Sequence, residues 1–569
     1  MKKISQIKFA LFLIAAIGLS VAAQSDNRQR IIVGGTPTPT PTVSPTPNSN
    51  PQCPPGVPCN PRPSPTPNVS PTPAISGGQT IFDLQAKIRQ SLMRPELQRG
   101  TVGIKITSLD TGKVVFEENA EKYLMPASNM KSFTVAAALE KLSPNFRFIT
   151  SVFAPVKPDA SGTVKGDLSI YGRGDISVST AFYSGDYYKG LDNLADKIVA
   201  AGVKRIEGNL VGDESYFTGN AIPISWEWDD LQWNDGAEIS ALPLNDNALD
   251  LTVKPGSVGA PCVVQLLPLN PVMRVVNTCV TTASNVKRDL TVKKDLDQNV
   301  VVISGTMPAG DKGFTNYLTV SHPSELFVAL LKQRLEQKGV VVTGQPRVIG
   351  AKEKAILAVS SMLPPVQIAT LESPPFSVIA AKTMKPSQNM YTETILWTLG
   401  QEGRGATITS AMTPDTNPFL NPKATSSEKG IFVVRNFLNE IGIAPDGIIQ
   451  YDGSGLSRHN LVTPAALIQL YTYMAKQSRY ADVWYDVLPV GGVDGTLRSR
   501  FSDARTNGNV HAKTGTLDQV SALSGYVTSA AGEKMVFSII VNGVKEPRAR
   551  TGVIDEIVRN LANFNGRIN

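Results

Sequence analysis

Ser128-Asn129-Met130-Lys131, Ser387-Gln388-Asn389 and Lys513-Thr514-Gly515 occur in that order along the 569 residues. A fold that uses them together must gather three distant segments at one point. The order carries more information than any single member. Ser-x-x-Lys recurs at Ser5/Lys8, Ser284/Lys287 and Ser426/Lys429, and Ser-x-Asn recurs at Ser143/Asn145. Lys-Thr-Gly occurs once.

Context separates the candidate nucleophiles. Ser5 lies in an apolar leader, Ser284 in a polar stretch feeding Val-rich strands, and Ser426 in a run that reads as a loop. Ser128 instead opens a helix expected over residues 126–142. Pro126 suits its first turn, and Met130, Phe133, Ala137 and Leu142 give an apolar face. Three residues is nearly one turn, so Ser128 and Lys131 project from one side. The helix N-terminus adds positive dipole where an anionic intermediate would form. Taken alone, the pair reads as a capping serine beside a surface lysine; the two other motifs change that weighting.

A serine hydroxyl needs a neighbouring base to become a nucleophile. The three histidines are His322, His459 and His511, and there is no Gly-x-Ser-x-Gly elbow, so a Ser-His-Asp site is poorly supported. Lysine can serve if burial and a second cation lower its pKa. Lys131 is placed to be that base, with Lys513 as the second cation. Lys513 falls in the first of three strand-like runs, 509–516, 521–529 and 534–542, joined by turns at 517–519 and 530–532. Gly515 reads as a position where a substrate backbone approaches closely. A peptide could add there as a strand, its terminal carboxylate meeting Lys513 and Thr514.

The ordered motifs are the signature of penicillin-recognising acyl-serine enzymes. Two features narrow the resemblance. Lys131 and Ser387 are 256 positions apart, and residues 452–460 read Asp-Gly-Ser-Gly-Leu-Ser-Arg-His-Asn. The chain thus resembles the D-alanyl-D-alanine carboxypeptidase/endopeptidase family, the class C low-molecular-mass penicillin-binding proteins, from about Ile81 to its end. The resemblance implies an α+β fold: a penicillin-binding-protein/β-lactamase-like transpeptidase domain, an antiparallel sheet with helices, split by two inserted, nested domains. Residues 79–145 and 353–569 would form the catalytic domain, 146–245 and 320–352 a second, and 246–319 a third nested in it. Helical patterns over 188–201 and 326–338 alternate with strands there.

Carried over by position, the resemblance implies Ser128 as acylated nucleophile and Lys131 as base. Ser387 and Asn389 would relay protons and hold the substrate amide. Lys513 and Thr514 would take the carboxylate, and the N–H groups of Ser128 and Thr516 the oxyanion. Asp230 and Arg458 match positions that contact the stem-peptide side chain. Asp518 stands where the best-known relative has glutamine. Among Trp226, Trp228 and Trp233, at least two read as core and loop packing. Cys262 and Cys279 match a cysteine pair of a relative, which leaves Cys53 and Cys59 to close a small loop.

The N-terminus reads as a secretory signal, residues 1–23. Lys2 and Lys3 precede a 15-residue apolar run ending Val21-Ala22-Ala23. That run is shorter than a membrane-spanning helix needs, and no other is long enough, so no integral span is expected after cleavage. Residues 24–78 read as a Pro/Thr-rich disordered linker. Its Thr-Pro repeats at 35–76 could reach on the order of 130 Å as extended polyproline. The cysteine and histidine spacing fits no zinc site, and no metal or cofactor is expected. The formal net charge is +7, but the basic residues are scattered and export removes nucleic acid as a partner.

The expectation is an exported, periplasmic or otherwise extracytoplasmic serine DD-peptidase. It would act on peptidoglycan stem peptides or cross-links and be inhibited by β-lactam antibiotics. A β-lactamase or transpeptidase with the same motifs is one alternative; a catalytically weak wall-binding protein is another.

Overall fold

The Lys534–Asn542 strand is apolar on both faces, as a strand covered on both sides must be. Val536 and Ile540 point to one core and Phe537, Ile539 and Val541 to another. This strand is the centre of an antiparallel five-stranded sheet in the order Val114–Glu118, Thr101–Ser108, Lys534–Asn542, Val520–Thr528, His511–Leu517. The computed structural model describes residues 78–360, 364–403 and 413–568, with backbone alone at 357–360. The expected signal, Cys53, Cys59 and all but the last linker residue lie outside the described residues.

One face of the sheet is covered by the Ile81–Leu92 and Pro547–Ala562 helices. Val553, Ile554, Ile557, Val558 and Leu561 form the buried stripe of the latter. Thr80 and Asp83 close a capping box on the former. The other face carries a helical layer that includes Met130–Leu142, Asn389–Glu402 and Pro464–Lys476. The Asn389–Glu402 helix is buried continuously from Asn389 to Gly400. Its Thr392, Thr394 and Thr398 hydroxyls satisfy themselves on carbonyls one turn back, at 2.8, 2.9 and 2.8 Å. A helix without a polar face can therefore run through the core.

The three C-terminal strands lie where alternation put them, within two residues. The Ser128 segment differs. A 3-10 turn, Ala127–Asn129, carries Ser128, and the α-helix starts at Met130 rather than Pro126. Ser426 is also not in a loop. It is the first residue of the Ser426–Glu440 helix, whose Thr425–Glu428 capping box was readable as Thr-x-x-Glu.

Between the first two motifs the chain builds a second sheet, ordered Pro346–Ile349, Leu210–Asp213, Leu168–Tyr171, Ile149–Ala154, Val366–Glu372. The Lys189–Ala200 and Pro323–Gln337 helices share a hydrophobic core with it. The second helix begins three residues earlier than its apolar pattern implied, because Pro323 is at its first turn. Residues 248–319 supply two further small sheets, and Cys262 and Cys279 are disulfide-bonded there. The expected cut at residue 353 needs correction. Val366–Glu372 pairs antiparallel with Ile149–Ala154, so the inserted sheet extends past it.

Candidate active site

Ser128 leaves its 3-10 turn facing the first turn of the adjoining helix. Fully buried Lys131 donates from Nζ to Ser128 Oγ at 2.9 Å, to Asn389 Oδ1 at 2.6 Å and to the Ser454 carbonyl at 2.6 Å. Three acceptors match the three protons of an ammonium. Asn389 opens its long buried helix, and its Nδ2 donates to the Asp235 carbonyl at 3.0 Å. Both ends of this amide are engaged, and the NH2 group has a second N–H besides the one given to Asp235.

The third motif comes from the sheet edge. Fully buried Lys513 donates to Ser387 Oγ at 2.7 Å and to the Thr514 carbonyl at 3.0 Å. Burial, with the Lys131 charge adding repulsion, pushes the Lys513 ammonium well below its ordinary range. Ser387 adopts a left-handed backbone, φ 67°. Asn129 Nδ2 donates to the Lys513 carbonyl at 3.2 Å, tying strand to the Ser128 turn, and Thr514 donates to Thr496 at 2.7 Å. Gly515 has a different reason from the one its sequence suggested. A Cβ there would lie 2.4 Å from the Pro126 carbonyl, so the close approach is by the chain itself.

The floor is the turn at residues 452–460. Asp452 is buried and accepts from the N–H groups of Gly455 and Ser457, from Asn460 Nδ2 and from Trp226 Nε1, at 2.7, 2.7, 2.7 and 3.0 Å. Gly455, at φ 82°, leaves a Cβ only 1.9 Å from the Ala127 carbonyl. Gly455→Ala is therefore expected to destabilise the fold by at least about 1–2 kcal/mol, the cost of the left-handed backbone alone. An unchanged urea midpoint would show that the turn relaxes freely.

Asp230 and Arg458 lie in one acidic neighbourhood but are not each other's nearest partners. Arg458 Nε meets Glu227 at 2.9 Å and its Nη1 donates to the Asp518 carbonyl at 3.1 Å. Burial, then repulsion from Asp229, Glu227 and Asp235, pushes the Asp230 carboxyl up to about 6 against the pull of Arg458. Trp226 is buried and Trp233 packs 6.1 Å from the Phe314 ring, whereas Trp228 is 75% exposed. Sequence reasoning passed over Glu393, Ser454, Asp235 and Thr496. Only Glu393 carried a signal, a charged residue one turn after Asn389 in a helix otherwise short of charge.

A two-faced antiparallel sheet with a half-buried serine and a buried lysine paired beside its edge strand defines a class, the penicillin-binding-protein-like fold. The crystal structure of penicillin-binding protein 4 (dacB) from Haemophilus influenzae shares that fold at TM-score 0.68 and 24% identity, over 85% of this chain and 98% of that one. The model of the D-Ala-D-Ala carboxypeptidase 3 (S13) family matches residues 84–564, and the chain belongs to that family. It is thus a serine-type peptidase, a hydrolase. The D-alanyl-D-alanine carboxypeptidase of Actinomadura sp. (strain R39) is 31% identical over 504 residues, 87% of each chain. The D-alanyl-D-alanine carboxypeptidase DacB of H. influenzae is 26% identical over 489 residues, 84% of this chain and 94% of that one. Among the described residues no helix is long and apolar enough to cross a membrane, and no His/Cys/Asp/Glu group is arranged to hold a metal.

Proposed function

We propose that this chain is an exported serine DD-peptidase that hydrolyses D-alanyl bonds of peptidoglycan stem peptides or cross-links through an acyl-enzyme on Ser128. The observation that carries this reading is Lys131 Nζ lying 2.9 Å from Ser128 Oγ while two further acceptors hold it. Ser128 Oγ attacks the carbonyl of the penultimate D-alanine as Lys131 takes its proton. The N–H groups of Ser128 and Thr516 receive the oxyanion. The leaving amine takes a proton through Ser387, which Lys513 contacts, and Lys513 and Thr514 hold the terminal carboxylate. Water then attacks the ester, and Ser128 regains its proton. A β-lactam enters the same first step, but its leaving group stays attached and deacylation is slow. The signal-like residues 1–23 support export, and the linker would act as a tether or spacer. We place the catalytic domain at 79–145 and 373–569, with 246–319 nested in the insertion.

Incubation with purified muropeptides tests this directly. Mass analysis is expected to show loss of a terminal D-alanine, or cross-linked dimers falling to monomers by addition of one water. Unchanged muropeptides from enzyme that binds penicillin would sink the reading.

Asp230 and Arg458 are proposed to meet the stem-peptide side chain, Asp230 its amine and Arg458 its carboxylate. An incoming ammonium would relieve the repulsion around Asp230, and a carboxylate would compete with Glu227 for Arg458. Arg458→Ala is expected to lower kcat/KM for a diaminopimelyl peptide about 10-fold or more, roughly one charge-assisted hydrogen bond. Acylation by simple penicillins, which lack that side chain, should barely change. Equal losses on both would make Arg458 a support of the fold instead.

A further inference from the structure

Glu393 is a fully buried carboxyl that the reaction steps leave unused. It lies one helical turn after Asn389, so both side chains leave the same helix face. Its Oε1 accepts from the N–H groups of Gly453 and Ser454 at 2.9 and 2.7 Å, and its Oε2 from Gly453 at 3.1 Å. These bonds anchor the Gly453 and Ser454 N–H groups at the start of the 452–460 turn; the Ser454 carbonyl, on the next peptide, reaches Lys131 Nζ at 2.6 Å, while that peptide's N–H, on Gly455, donates to Asp452 at 2.7 Å. One helix therefore holds Lys131 twice: directly through Asn389 Oδ1, and indirectly through Glu393, which anchors Ser454 by its N–H.

We propose that Glu393 is a positioning residue for Lys131, fixing the Ser454 carbonyl so that the neutral amine directs its lone pair at Ser128 Oγ. The inference rests on the reading of Ser128 and Lys131 as nucleophile and base. An uncharged lysine keeps two N–H bonds and one lone pair. With the N–H bonds given to Asn389 Oδ1 and the Ser454 carbonyl, the lone pair faces the third neighbour, the Ser128 hydroxyl. A one-turn helix spacing thus converts two acceptors into a direction for proton transfer.

The charged groups around Glu393 are Asp452 in the same turn and Lys131 beyond the Ser454 peptide, with Lys513 across the site. Burial foremost, then the Asp452 charge, pushes the Glu393 carboxyl up to about 8. Its ionisation would place a negative charge behind Lys131 and favour the ammonium, which is no base. Acylation by the wild type, which rises as Lys131 loses its proton, is therefore expected to flatten above pH of about 8.

The test is the rate of acylation by a labelled penicillin from pH 6 to 10 on the whole enzyme, with the labelled residue identified by mass. Glu393→Gln keeps an acceptor oxygen and cannot ionise. It should acylate within about threefold of wild type at pH 7 and continue to rise where the wild type flattens. Glu393→Leu, which releases the turn, should lose at least about tenfold at pH 7. If Glu393→Leu fails to fold, the Glu393→Gln profile alone decides. Profiles that superimpose on the wild type, with label on Ser128, would overturn this inference alone. No label on Ser128 in the wild type would overturn the parent reading and this inference with it.

Discussion

Ser128→Ala is expected to abolish covalent labelling by penicillin completely while leaving the thermal unfolding midpoint nearly unchanged. The hydroxyl accepts one hydrogen bond from Lys131 in a site already holding two other acceptors for that ammonium, so its loss removes the nucleophile without orphaning a buried charge. The other Ser-x-x-Lys serines give a built-in control. Ser426 is buried at a helix start, bonded to Thr218 and Gln401, and has no access to a substrate. Ser284 lies in the inserted region, in a polar stretch before the Asp289–Lys294 strand. Label recovered on either, or persisting in Ser128→Ala, would remove Ser128 as nucleophile.

Lys131→Arg is expected to slow acylation by at least about 100-fold, the lower range for loss of a general base. Guanidinium keeps the charge but does not deprotonate in proteins. It is also too large for a fully buried site whose three contacts are all 2.9 Å or shorter. Stopped-flow quenching by a chromogenic cephalosporin would give the rate, and a melting curve would separate lost chemistry from lost fold. The geometry makes the opposite result informative. Lys513, pushed toward the neutral amine by burial and by Lys131, reaches Ser387 Oγ at 2.7 Å. Nearly full acylation in Lys131→Arg would therefore hand the proton from Ser128 to Ser387 and Lys513.

The motifs of the candidate site were readable because each couples a residue type to a local geometry. Ser-x-x-Lys needs only one turn of helix, and the structure keeps that contact even though the turn is 3-10. The strand around Lys513 was readable because alternation and short turns are local signals. Gly515 shows where such reading stops. Its lack of a side chain is demanded by Pro126, nearly 400 residues away, and no local pattern encodes that partner. Glu393 was missed for a related reason: in a helix buried all round, periodicity does not distinguish a face, and a lone charge looks like an error rather than a support. The expected boundary at 353 failed because the Val366–Glu372 strand follows a helix and belongs, by pairing alone, to a sheet begun some 200 residues earlier.

That pairing has a consequence for how the enzyme assembles. Ile149 lies opposite Glu372, so the insertion departs and returns through neighbouring strands, like a clasp closed at its base. Once it is shut, the path from Lys131 to Ser387 is no longer the whole intervening chain but the two short arms on either side of the clasp. Loop-closure scaling makes joining the two motifs easier by about 2 kcal/mol after that event than before it. An insertion of this size can thus be accommodated between the Lys131 and Ser387 motifs with little penalty, provided it folds first and presents its ends together.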